Sequence, residues 1–303
     1  MLRKILLFTL LLVVLTACAP KATPTPATLT FTDGLSREIS LKGPAQRVVS
    51  LAPSNTEILF AIGAGPQVVG RDNLSDYPEA ASTVTDIGSA FEALNTELIV
   101  SQEPDLILAA EINTPEQVKS LEDLGLTVYY LKNPLTLEEM YGNLEIVAQL
   151  TGHEDDAANL IESLKARVAA VDEKIAPLSS QISVFYELDA TDPAKPFTAG
   201  KGTFINLLIQ RAGGYNIASD IDGYPQLSLE QVVAADPYFI ILGDAAYGIT
   251  PESVASRPGW ENLSAVKNNR VVPFDDNLVS RPGPRLVDAL EELAKLLRPE
   301  LFE

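Results

Sequence analysis

The side chains that most often carry proton, nucleophile and metal chemistry are nearly absent: His153 is the sole histidine and Cys18 the sole cysteine. A transition-metal cage of imidazoles and thiolates needs three or four such ligands, so none can be assembled. A Ser-His-Asp arrangement could draw only on His153, which stands beside Glu154 and reads as a solvated first-turn residue of a helix. No Gly-x-Ser-x-Gly elbow occurs. Gly200-Lys201-Gly202-Thr203 lacks the earlier glycine, and the Ser or Thr after lysine, of a phosphate-binding loop. Gly63-Ala64-Gly65 meets Val68 where a dinucleotide fingerprint needs glycine. These absences point to binding rather than turnover. A serine–lysine or carboxylate hydrolase anchored in the cell envelope is the distant enzyme alternative, and a scaffold that contacts only other proteins is a third class.

Two carboxylates, by contrast, repeat a setting. Glu97 follows Asn95 by two residues and precedes Pro104 by seven; Glu230 follows Ser228 by two and precedes Pro237 by seven. Ile99-Val100 and Val232-Val233 stand at the same offsets beyond each. An acid in the first turn after a capping residue gains about 0.3–1 kcal/mol from the helix dipole, which accounts for either glutamate alone.

The N-terminus sets the compartment expected for these residues. Arg3 and Lys4 precede residues 5–15, an apolar run broken only by Thr9. At ~1.5 Å per residue such a run is too short for a bilayer core, which takes about 20 residues, and it reads as an export signal. It ends in Leu15-Thr16-Ala17-Cys18, which resembles a bacterial lipobox, a signal whose cysteine is alkylated with a diacylglyceryl group and becomes the new N-terminus. Residues 1–17 are thus expected to be a lipoprotein signal peptide, and 18–28, rich in Pro and Thr, an anchored tether. One cysteine permits no disulfide within a molecule. Loss of 1–17 removes Arg3 and Lys4 from 22 basic residues and none of the 41 acidic ones, so the formal charge moves from −19 to −21. Such a surface argues against nucleic acid and against a membrane partner other than through the lipid anchor. The expected location is extracytoplasmic, and the expected state is a monomer.

The remaining body alternates short apolar strands with amphipathic helices. Residues 29–42 alternate around Asp33-Gly34 as a β-hairpin. Strand patterns at 47–51, 67–70, 105–110 and 127–131 are interleaved with helical ones at 96–102, 115–124 and 137–150, an alternation that predicts parallel sheets. Between 154 and 175, Ala157, Leu160, Ile161, Leu164, Val168 and Val171 keep helical spacing, with Glu154, Asp155 and Asp156 at the start and Pro177 beyond the end. A second strand–helix series opens at 182. The reading is an α/β fold: an N-terminal lobe over 29–152, an inter-lobe helix over 153–176 and a C-terminal lobe over 177–303. A cleft between such lobes is where small molecules bind, and one stiff helix predicts a modest hinge.

Longer motifs carry a family resemblance. Arg47-Val-Val-Ser-Leu-Ala-Pro-Ser-Asn-Thr-Glu57, Asp76-Tyr77-Pro78, Pro196-Phe197-Thr-Ala-Gly200-Lys201, Ala212-Gly213-Gly214 and Ser280-Arg281-Pro-Gly-Pro-Arg285 resemble the cobalamin and iron-siderophore binding proteins of ABC importers over roughly 45–297. The resemblance implies two Rossmann-like lobes with central, mostly parallel sheets joined by one long helix, a ligand held in the cleft, and docking on a permease that works with an ATPase pair. It implies that Glu97 and Glu230 sit on the lobe tips and pair with permease arginines. It places Phe91 where cobalamin binders present a tryptophan, and Arg281 at the arginine of the last cleft loop; Asn277, Leu74 and Tyr77 join the expected ligand contacts. Leu74, Ala110 and Leu188 stand where corrinoid binders have aromatic residues, and Trp260 falls elsewhere, so the aromatic cradle is thinned. Arg71, Lys201 and Arg281 are few cations for a multiply anionic ferric catecholate. No resident cofactor or metal is expected, only a bound corrinoid or iron chelate: a corrinoid is the first expectation, a ferric siderophore or haem the alternative.

Overall fold

The computed structural model describes residues 28–302. The signal segment, Cys18 and all but the last tether residue therefore lie outside the described residues. Strands β1 (Leu29–Thr32) and β2 (Glu38–Leu41) form the antiparallel hairpin, with Phe31 opposite Ile39. Asp33 shapes its turn by accepting from the amides of Leu35 and Arg37, each at 2.9 Å.

In the N-terminal lobe β3 (Val48–Ser50), β4 (Val68–Arg71), β5 (Leu106–Ala110) and β6 (Val128–Leu131) make a parallel sheet in the order β4-β3-β5-β6. In the C-terminal lobe β7 (Ile182–Asp189), β10 (Phe239–Leu242) and β11 (Val271–Pro273) are parallel neighbours, with β10 between the other two. Beside β7 lie parallel β9 (Gly214–Asn216) at its first half and antiparallel β8 (Phe197–Thr198) at its end, so this sheet is mixed but mainly parallel.

The period of two along each strand decides which core a side chain joins. Leu106 and Leu108, with Val184, Tyr186 and Ile241, share one apolar cluster with the hairpin's Ile39 and Leu41 and with Ile161, Leu164 and Val168 of the helix Glu154–Ile175. The alternate residues Val49 and Ile107 belong to a separate outer cluster of the N-terminal lobe. Phe185 and Ile240 belong to another in the C-terminal lobe, where fully buried Trp260 lies 6.1 Å from the Phe185 ring. The central cluster runs unbroken through both lobes.

The helix Glu154–Ile175, 22 residues or about 33 Å long, is gripped from both sides. It packs on Leu137–Thr151 of the N-terminal lobe, which Gly152 ends at φ 78°, a left-handed turn that favours glycine. On its other side Arg167 donates to Asp288 at 2.6 Å and to Glu291 at 2.8 Å on the helix Leu286–Leu297. His153 departs from the sequence reading of a solvated residue. Its ring is half-buried with Nε2 3.0 Å from Gln67 Oε1, because the turn at Gly152 swings it against the segment entering β4.

Candidate functional site

In open parallel sheets ligands sit beyond the carboxyl ends of the strands, and here the loops leaving β5, β6, β7, β10 and β11 line two cavities there. One, of about 340 Å³, lies between the lobes: Glu111, Asn133 and Leu135 come from the N-terminal side, and Thr203, Tyr224 and Pro282 from the C-terminal side. The other, of about 520 Å³, lies in the C-terminal lobe between the residues after β7 and those after β10. Their rims carry apolar side chains that folding leaves in water: Leu135 is 58 % exposed, Tyr224 63 % and Tyr247 88 %. Large exposed apolar groups beside concave space are the usual mark of a ligand surface. Sequence reasoning missed Tyr224 and Tyr247. Both adjoin a glycine in the loops, Gly223 and Gly248, a turn signal that could have flagged them.

Of the five residues expected to touch ligand, Arg281 meets the segment that carries Leu74 and Tyr77 through Asp76, and none of the five lines either of these two cavities. Phe91 is 71 % exposed in the loop before Asn95. Leu74, 41 % exposed, is held out by Asp72: the buried Asp72 carboxylate accepts from the Leu74 amide at 2.9 Å and from the Ser75 hydroxyl, and burial pushes its carboxyl up. Asn277 opens the short helix Asn277–Ser280 and donates to Asp275 at 3.0 Å. Tyr77 lies instead in a groove beside the connecting helix with Phe60, Leu160 and Leu164, its ring face 4.0 Å from the Arg285 guanidinium. Arg281 is already engaged: Nη1 donates to Asp76 at 2.6 Å and to Glu57 at 3.3 Å.

Glu57, on the helix Pro53–Ala61 and 2 % exposed, also receives Arg285 through two nitrogens, with Nε at 2.8 Å. This N-terminal-lobe carboxylate thus binds two arginines of the C-terminal lobe, a second tie between lobes besides the connecting helix. The other two cations expected in the cleft, Arg71 and Lys201, line neither cavity, and they lie 3.7 Å from Asp86 and 3.9 Å from Asp222.

Glu97 and Glu230 both lie exposed at the second position of a helix, Thr96–Ser101 and Leu229–Ala235, and among the described residues neither has an ion-pair partner. Asn95 caps the first helix by accepting from the Leu98 amide at 3.1 Å. Ser228 and Gln231 form a reciprocal capping box at the second. The amide at the helix start and the Ser228 hydroxyl hold the Glu230 carboxyl below its usual range.

Residues 48–278 match the family model described as "Periplasmic binding protein". The chain is 34 % identical to an uncharacterized ABC transporter substrate-binding lipoprotein, YvrC, of Bacillus subtilis (strain 168), over 91 % of this chain and 87 % of that one. It is 30 % identical to a cobalamin-binding protein of Halobacterium salinarum, over 88 % of this chain and 73 % of that one. Among solved structures, the apo periplasmic heme-binding protein RhuT of Roseiflexus sp. RS-1 superposes with a TM-score of 0.75 and 28 % identity, covering 85 % of this chain and 99 % of that one.

Proposed function

This chain belongs to the periplasmic binding protein family, and from that membership we propose that it captures a corrinoid in the cleft between its lobes and delivers it to an ABC importer. It is a binding protein and not an enzyme, as are the family and the similar proteins, which sets the envelope hydrolase aside. As the substrate-binding component of an ABC transporter it works with a permease and its ATPase.

The observation that carries the choice of ligand is the engagement of Arg281, which is held by Asp76 at 2.6 Å and Glu57 at 3.3 Å. A catecholate chelate or a haem propionate would have to displace those acids to gain a charged hydrogen bond from it, whereas a corrinoid fringed with neutral amides needs no such exchange. The exposed rings of Phe91, Tyr224 and Tyr247 offer a flat macrocycle apolar surface. Relatedness to a cobalamin-binding protein supports the same reading, and likeness to a heme-binding protein keeps haem as the competitor. Anchoring through Cys18 and docking through Glu97 and Glu230 complete the proposal; the lipoprotein relative supports the first, and the matched exposed positions of the two glutamates support the second.

Incubation of the purified protein with cyanocobalamin, a ferric siderophore or haem, followed by washing and an absorption spectrum, tests the ligand. One corrinoid retained per molecule is expected, weakened by about 1–2 kcal/mol in Phe91→Ala, the scale of losing one aromatic face. Retention of haem alone would transfer the protein to the competing reading.

A further inference from the structure

The chain from Cys18 joins the body at the end opposite Glu97 and Glu230. Leu29, the first residue of β1, pairs with Leu41. Leu41 and Ala45 line a cavity of about 410 Å³ with Pro104 and Asp105, just ahead of β5, and with Leu126 and Thr127, just ahead of β6. Leu29 therefore lies at the amino ends of the N-terminal-lobe strands. Glu97 lies at their carboxyl ends. The loop before its helix is held by Gln117, whose amide donates to the carbonyls of Ala90 at 3.2 Å and Glu92 at 2.9 Å from the first turn of Pro115–Glu122, the helix that follows β5. Beyond the helix, the carbonyls of Gln102 and Glu103 accept from Arg47 Nε at 3.1 and 3.0 Å, beside the start of β3. Glu230 is placed alike. The Leu229 amide donates at 2.9 Å to the Ala194 carbonyl, past the end of β7, and the Tyr238 amide at 3.0 Å to the Ser183 carbonyl, near its start.

The helix Leu137–Thr151 measures the height between these ends. It opens beyond the end of β6 and closes where the Leu150 carbonyl accepts from the Ala45 amide at 2.8 Å. Its 15 residues rise about 22 Å. From Cys18 to Leu29 is 29 minus 18, or 11, residue steps, at most about 36–40 Å when fully extended. A Pro-rich linker of that length spans about 34 Å and a Gly/Ser-rich one only about 18 Å. Pro20, Pro24 and Pro26 give this tether the first composition. We propose that the protein docks with its tethered end turned away from the membrane that holds both permease and anchor, so that residues 18–28 must bridge the height of the N-terminal lobe and their reach is itself a requirement for delivery. A linker too short to span two sites brings the effective concentration of one at the other to near zero. The inference rests on anchoring through Cys18 and docking through Glu97 and Glu230.

Deleting residues 22–27 leaves five steps, at most about 18 Å, short of the lobe's height. Uptake by cells is measured with radiolabelled cyanocobalamin, and with labelled haem and a ferric trihydroxamate should the wild type not carry the first. Each variant is first shown to carry lipid on its first residue in wild-type amount. The deletion is expected to cut uptake at least about tenfold, while the purified variant binds the same probe as tightly as the wild type. Twelve Gly-Ser residues in place of 22–27, with a coil length of about 23 Å, should restore uptake. Wild-type uptake by the lipidated deletion variant overturns the inference. So does failure of the Gly-Ser variant, which would give residues 22–27 a role other than reach. A wild type without lipid on its first residue, or a double alanine variant of Glu97 and Glu230 that transports normally, removes the underlying reading and the inference with it.

Discussion

Burial and the neighbouring Glu187 carboxylate push Asp244 up to about 7, only partly opposed by Arg257. Its ordinary value is 3.8, so between about pH 4 and 7 the folded chain holds a proton that the unfolded chain has lost. Stability from this group is therefore present below that window, declines as pH rises through it and is gone above. Asp244→Asn removes the titration while keeping the shape. The apo variant is expected to gain melting temperature relative to the wild type on going from pH 5 to pH 8; an offset equal at both would show that Asp244 is not the titrating group. Cys18 makes a residue-scale prediction of another kind. Cys18→Ser should release the protein from the membrane fraction, and a wild-type first residue without lipid mass would end the anchoring proposal.

At the scale of elements, the two capped helix starts carry the docking proposal. Glu97 and Glu230 stand at matching places on Thr96–Ser101 and Leu229–Ala235, exposed and outside both cavities. Replacing both with alanine should leave ligand affinity unchanged and lower stability only slightly, by loss of the dipole interaction. Uptake by cells should collapse, and the single variants should differ less from wild type as salt is raised, as rim charges do. A double variant that transports at the wild-type rate would reduce both residues to helix-start acids.

For the whole molecule, the unbroken central cluster and the Glu57 cluster with Arg281 and Arg285 bind the lobes to each other along the side of the connecting helix. Packed cores and charge clusters of this kind shift between discrete arrangements rather than stretch, so ligand capture should move the lobes little. Small-angle scattering of free and loaded protein should give nearly the same radius; a contraction of several ångströms would refute the rigid frame. Glu57→Ala leaves two half-buried guanidinium groups without their shared acid, and should lower stability by about 3 kcal/mol. It should also speed amide exchange at the start of Leu286–Leu297, whereas unchanged exchange there would mean the cluster does not hold the lobes together.

What the sequence determined by itself was everything set by short-range patterning. The connecting helix was legible because its apolar spacing, its acidic start and Pro177 act within a few turns. The strands were legible as apolar runs bounded by turns, and Glu97 and Glu230 as an echo of cap, acid and proline at fixed offsets. The charge of the cleft was decided only in three dimensions. Arg281 reads as a free ligand contact until folding brings Asp76 and Glu57 to it, from positions more than two hundred residues away in the chain. His153 reads as solvated until Gln67 arrives beside its ring. Asp244 is one acid among 41 acidic residues in the sequence; its raised carboxyl exists only because β7 and β10 pair and bury it beside Glu187. Local propensity acts through neighbours in the chain, but the charge a ligand meets is a sum over groups that only the tertiary fold assembles.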